Sequence, residues 1–92
     1  MLIYVIVYDI PVDKRRYKVA DLLSGYGQRV QFSVFECALP VAKYQELRDR
    51  LKQRINESED CVRFYPISSH THSQVEIWGG PDLIKVPGSV VV

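Results

Sequence analysis

Asp9 is the residue best placed to do chemistry. It directly follows the apolar run Leu2, Ile3, Tyr4, Val5, Ile6, Val7, Tyr8, so a buried strand would hold its carboxylate rigidly where the sheet ends. One carboxylate is too little for hydrolysis by a pair of metals, which needs several bridging acids. It is enough for Mg²⁺, which keeps most of its waters and takes one or two carboxylates. A two-fold axis near Asp9 would supply two from one sequence position, so a single-Asp nuclease makes physical sense as a dimer. The plainer reading is an Asx turn ahead of Pro11.

Other candidates carry weaker signals. Ser33 is flanked by Phe32 and Phe35. As a nucleophile it lacks a basic neighbour, so its hydroxyl reads as bonded to backbone at a bulge. Phe35 either packs in the core or stacks on a base, and core is the stronger reading. His70-Thr71-His72 invites a metal pair, but the residue between them is Thr and the loop is serine-rich, so solvated histidines are the default. Cys37 and Cys61 lie far apart in no CxxC pattern, and read as small buried residues.

The elements that must position these groups follow from periodicity. Residues 2–8 are a continuous apolar run rich in β-branched side chains, hence a strand covered on both faces and central in its sheet. Asp13 is placed to cap a helix starting at Lys14, with Val12 and Tyr17 as a hydrophobic staple. Val19, Leu22, Leu23 and Tyr26 form one helical face, and Gly25 and Gly27 offer a left-handed stop. Residues 30–39 are strand-like. Their apolar phase shifts from Val30, Phe32, Val34 to Phe35, Cys37, Leu39, which suggests a bulge or bend. A second helix over 41–56 carries Tyr44, Leu47, Leu51 and Ile55. Residues 61–67 form a strand that Pro66 assigns to an edge or terminus, and 75–78 a short further strand. The order reads β-α-β-β-α-β, an α+β ferredoxin-like domain over residues 1–80 with two helices on one face of an antiparallel sheet. RNA-recognition motifs share that order, but their aromatic-glycine signature is absent. The tail, residues 81–92, is apolar and broken by prolines and glycines, so it needs a sheet edge to pair with. A homodimer exchanging tails would provide one; a tail folded back on its own chain is the alternative.

Composition narrows the class. The chain has 92 residues, is 47% hydrophobic and 25% charged, and carries a net charge of +1. This excludes a disordered tail, a collagen and a disulfide scaffold. No apolar run approaches the roughly 18 residues of a spanning helix, and residues 2–8 lack a basic n-region, which predicts a cytoplasmic protein with no membrane partner. Near-neutrality argues against nucleic acid, but the average hides a segregation. Between Lys14 and Arg29, the cations Lys14, Arg15, Arg16, Lys18 and Arg29 face one acid, Asp21. The second basic stretch, from Lys43 to Arg54, pairs Glu46 with Arg50 at helical spacing and reads as ordinary helix surface. The first stretch is the candidate surface for phosphate backbone.

Three segments together carry a family likeness. Tyr8-Asp9-Ile10 ends the first strand. Asp13-Lys14-Arg15-Arg16 leads into Val19, Ala20, Leu22 and Leu23. Then comes Gly25-Tyr26-Gly27-Gln28-Arg29-Val30-Gln31-Phe32-Ser33-Val34-Phe35-Glu36. These resemble the CRISPR-associated Cas-two family, the small core proteins of CRISPR adaptation, most strongly over roughly the first forty positions. The resemblance implies a ferredoxin-like homodimer with exchanged tails and a Mg²⁺-dependent phosphodiesterase, acting on RNA in some members and duplex DNA in others. Asp9 matches the family's metal aspartate. Tyr8, Arg16, Arg29, Ser33 and Phe35 match positions tied to substrate or catalysis, and Lys18 stands where some members have Arg. The resulting expectation is catalysis by Asp9, Tyr8 and Ser33, with nucleic acid held by Arg15, Arg16, Lys18, Arg29 and Phe35. In the adaptation complex the family member bridges integrase subunits without cutting, which is the alternative function. A toxin-like ribonuclease of the same size and fold is a third.

Overall fold

The structure, a computed structural model, describes residues 1–87. Four strands, β1 (Leu2–Asp9), β2 (Gln28–Gln31), β3 (Val34–Leu39) and β4 (Cys61–Ile67), form one antiparallel sheet in the order β2-β3-β1-β4. Helices α1 (Asp13–Ser24) and α2 (Val41–Lys52) complete the β-α-β-β-α-β order. The unbroken apolar run of β1 has the central place, between β3 and β4. Alternate residues of the two inner strands, Tyr4, Ile6 and Tyr8 with Phe35, Cys37 and Leu39, share one core cluster with Val19 and Leu23 of α1 and Leu47 and Leu51 of α2. Both helices therefore pack on the same sheet face. Strand β4, which contains Pro66, pairs only with β1 and is an edge.

Residues 30–39 are not one bent strand. The chain reverses at Phe32 and Ser33, and β2 and β3 form a hairpin. The apolar phase shifts because direction reverses, and a separate irregularity in the pairing lies between Arg29 and Gln31. Residues 75–78 form no strand. They follow a 3₁₀ turn at His72–Gln74, and Ile77 and Trp78 are exposed. Alternation makes a strand only where a sheet edge lies in register. The elements placed by periodicity run β-α-β-α-β-β; the β-α-β-β-α-β order of the expected fold arises because residues 28–39 supply two strands and 75–78 none.

Helix signals were partly misplaced. Val12, not Asp13, is the N-cap residue, and it makes no side-chain cap bond. Asp13 is the first helical residue and its carboxylate accepts from Arg16 Nη2. Starting one residue early also breaks the staple, leaving Tyr17 exposed. Neither Gly25 nor Gly27 is left-handed; among the described residues only Gly79 and Gly80 have positive φ. Helix α2 stops at Lys52, short of Asn56. Asn56 belongs to a competing turn: its N–H donates to Asp60 Oδ2 at 2.8 Å and its Oδ1 accepts from the Ser58 hydroxyl at 2.6 Å. Glu46 accepts from the Tyr26 hydroxyl at 2.6 Å and from Lys43, rather than from Arg50. The Tyr26 bond, first among the causes, holds the Glu46 carboxyl below its ordinary range.

The tail returns to its own chain at least as far as Ile84, whose N–H donates to Glu36 Oε1 at 3.0 Å. Glu36 alternates with the core residues Phe35 and Cys37, so this contact lies on the face away from the helices. Residues 88–92, the end of the tail expected to pair across a dimer, lie outside the described residues.

Cys37 is fully buried and Cys61 exposed, both as free thiols, which corrects the expectation of two buried cysteines. Burial pushes the Cys37 thiol up to about 12. Iodoacetamide at pH 8 is expected to modify one thiol in the folded protein and two after denaturation, because the thiolate is the nucleophile; intact mass reads this directly.

Candidate functional site

The site is built where β1 ends. Tyr8 and Ile10 are each 3% exposed and sit in the core. Asp9 between them is exposed and pairs with Cys61 across the sheet. Its backbone is therefore held from both sides while the residue itself is open to solvent. The neighbouring cations are engaged elsewhere. Arg16 donates from Nη1 to the Ile10 carbonyl at 3.1 Å and from Nη2 to Asp13.

The β2–β3 turn closes the same end of the sheet. The Phe32 carbonyl accepts from the Tyr8 hydroxyl at 3.3 Å, from Arg29 Nε at 3.0 Å and from Arg29 Nη2. Ser33 contributes its carbonyl, which accepts from the Tyr8 N–H at 3.1 Å, and not a hydroxyl bonded to backbone at a bulge. Tyr8 thus ties the turn to the central strand through both its backbone and its ring. Tyr8, Arg29 and Ser33 meet at this turn, and Asp9 and Arg16 lie at the same end of the sheet without a hydrogen bond or ion pair between Asp9 and either arginine.

Three of the expected residues do not join them. Phe35 is 0% exposed, 6.3 Å from the Tyr8 ring centroid. It supports the site from below and has no free face for a base, so the stacking expectation is corrected in favour of core. Arg15 points to the loop before β4, where it donates from Nε and Nη2 to both Asp60 oxygens, at 2.9 and 3.1 Å, and from Nη2 to Glu59. It is a structural clasp rather than a free cation. Lys18 lines a groove of about 910 Å³ between the helices, with Lys43, Arg50 and Arg54. The fold thus joins one member of the first basic stretch to the second, away from Asp9, and Asp21 and Glu46 in the same groove offset part of the charge. His70 is exposed and His72 stands in the 3₁₀ turn; no group of three or more His, Cys, Asp or Glu that could hold a metal occurs among the described residues.

Sequence reasoning missed Tyr17 and Phe32, both exposed beside these arginines, and Asp60. Phe32 was concealed by its place in an apparent strand. Asp60 had no local signal, since its partner is 45 positions away.

The family model for CRISPR associated protein Cas2 matches residues 1–75. The chain belongs to the Cas2 family. It is 61% identical to CRISPR-associated endoribonuclease Cas2 3 of Synechocystis sp., over the full length of both chains. Among solved structures, Streptococcus pyogenes Cas2 at pH 6.5 is similar with a TM-score of 0.74 and 38% identity, covering 84% of this chain and 99% of that one. A chain of a partial Cas6-RT-Cas1–Cas2 complex is similar over 100% of both, with a TM-score of 0.79 and 32% identity. Among the described residues, no helix of this Cas2-family chain is long and apolar enough to cross a membrane.

Proposed function

We propose that the chain serves CRISPR adaptation in the cytoplasm as a nucleic-acid-binding homodimer, with tails exchanged and a Cas1-type integrase as partner, and that it hydrolyses phosphodiesters with Mg²⁺ at Asp9. The observation that carries this reading is the exposed Asp9 at the end of β1, between two buried residues, at the end of the sheet where Arg16 bonds the Ile10 carbonyl and Arg29 the Phe32 carbonyl. The endoribonuclease name of the Synechocystis relative supports the activity, and the Cas1–Cas2 complex supports the partner.

The donor set fits a hydrated Mg²⁺, which needs only one or two carboxylates. Asp9 would hold it, and the same residue of a second copy would supply the other carboxylate. A bound Mg²⁺ supplies Lewis-acid polarisation of a phosphoryl oxygen and a lowered pKa for water. The chain's own groups do the rest. Arg16 and Arg29 are steadied by the carbonyls of Ile10 and Phe32; Arg29 would hold phosphate directly, and Arg16 would do so by exchanging its Asp13 partner for it. Tyr8 and Ser33 fix the turn whose Phe32 carbonyl steadies Arg29.

Asp9→Asn is expected to lower Mg²⁺-dependent cleavage of RNA or duplex DNA on the order of 100-fold or more, measured with and without the ion. Unchanged hydrolysis would sink the metal role. The bridge reading is favoured by the lone carboxylate per chain. It expects no hydrolysis by the parent protein and intact spacer capture by Asp9→Asn.

A further inference from the structure

We infer that the hollow between α1 and the β2–β3 turn binds one unpaired nucleobase together with its phosphate, gripped by Tyr17 and Phe32. The inference rests on the reading that this chain binds nucleic acid, and it adds two residues and a preference for unpaired strands. The hollow has a volume of about 340 Å³, at the small end of ligand pockets, which run about 300–1,000 Å³. Tyr17 and Phe32 both line it, 64% and 72% exposed.

Isolated surface aromatics are common and need no function. These two differ because each has its own guanidinium. Arg16 lies 5.6 Å from the Tyr17 ring centroid and Arg29 lies 5.3 Å from that of Phe32. Both arginines line the same hollow. A ring backed by a cation offers a flat surface for a base, and Arg29, which has no carboxylate partner among the described residues, offers charge for the adjoining phosphate, whereas Arg16 is paired with Asp13.

The supports are firm. Tyr17 stands in the second turn of α1. Phe32 stands in the turn that Tyr8 and Arg29 anchor through its carbonyl. Asp21 also lines the hollow. It repels phosphate and accepts hydrogen bonds from an amino group, so it turns the base edge inward and leaves the backbone to Arg29. A base inside a duplex has both faces covered by its neighbours and cannot enter. Single strands, loops and frayed ends can.

The test uses the full chain in EDTA, with a short DNA or RNA strand carrying one 2-aminopurine, and a blunt duplex of the same sequence. Binding of the single strand is expected to change the fluorescence of the 2-aminopurine. Tyr17→Ala and Phe32→Ala are each expected to weaken single-strand binding on the order of tenfold and to change duplex binding less than about twofold. Tyr17→Phe is expected to bind as the parent does. Thermal unfolding checks the fold, which exposed rings should leave intact. Unchanged single-strand affinity in both alanine variants, or an equal loss on the duplex, would overturn the inference. Asp9→Asn separates it from the metal reading: that variant should keep the fluorescence response whether or not it loses cleavage.

Discussion

Arg15→Ala is expected to lower the unfolding midpoint by roughly 10 °C or more, while nucleic-acid affinity stays within about twofold of the parent. The Asp60 side chain is 0% exposed, and Arg15 meets both of its oxygens. Removing the guanidinium leaves a buried carboxylate with only the Asn56 N–H as partner, and an uncompensated buried charge is costly. The clasp spans 45 positions and joins the start of α1 to the loop that leads into β4. Arg15→Lys keeps the charge but not the two-pronged geometry, so an intermediate midpoint is expected.

The same clasp predicts a pH dependence. Arg15 first, then the Asn56 N–H, holds the Asp60 carboxyl below its ordinary value of 3.8. A carboxyl depressed on folding stabilises the native state fully above its unfolded value, and that contribution is lost as pH falls through the lower native value. The midpoints of parent and Arg15→Ala should therefore stay well separated above about pH 5 and converge below about pH 4. Thermal scans from about pH 6 down to about pH 2 check it. A constant gap down to the acid end would show that Asp60 is not the group involved.

Gly27→Ala is the second large effect, a loss of about 3 kcal/mol in urea unfolding. A Cβ at Gly27 would overlap the Glu36 carbonyl oxygen and the Cys37 Sγ, and would lie 2.9 Å from the Cys37 Cα. Two of these three are backbone atoms of β3, so relief requires moving a core strand. Gly25→Ala is the control. Its φ of −79° suits alanine, and the nearest atom to a new Cβ, the Leu22 carbonyl oxygen, is at 3.4 Å. It should be neutral or stabilise by about 0.5 kcal/mol through the unfolded chain. Similar losses at both glycines would mean that close approach is not what Gly27 serves.

The central strand and the two helices were legible because each is a strong, local apolar pattern. The hairpin was not, because Phe32 and Ser33 bring only a serine, a weaker turn former than Gly, Pro, Asn or Asp. The turn exists because pairing with β1 aligns Val34 with Val7 and lets Tyr8 bond to both turn carbonyls. The site shows the same division. Asp9 could be read as a strand-end carboxylate. The commitments of Arg15 to Asp60 and of Lys18 to the interhelical groove depend on contacts distant in sequence. Gly25 and Gly27 show a subtler limit: their positions near the helix end were visible, but the constraint on Gly27 comes from β3 and not from its own backbone conformation.

The contact between Ile84 and Glu36 bears on how a pair of chains would form. In the proposed dimer with exchanged tails, each chain gives up this bond and receives an identical one from its neighbour. Such a swap leaves that contact energetically neutral. What remains to decide between closed and swapped forms is concentration and the strain of the connecting segment, where Gly79 and Gly80, at φ of 80° and 81°, hold conformations that other residues resist. In that proposed dimer the double glycine would be the pivot, and replacing it would shift the balance between single and paired chains without touching either end of the bond.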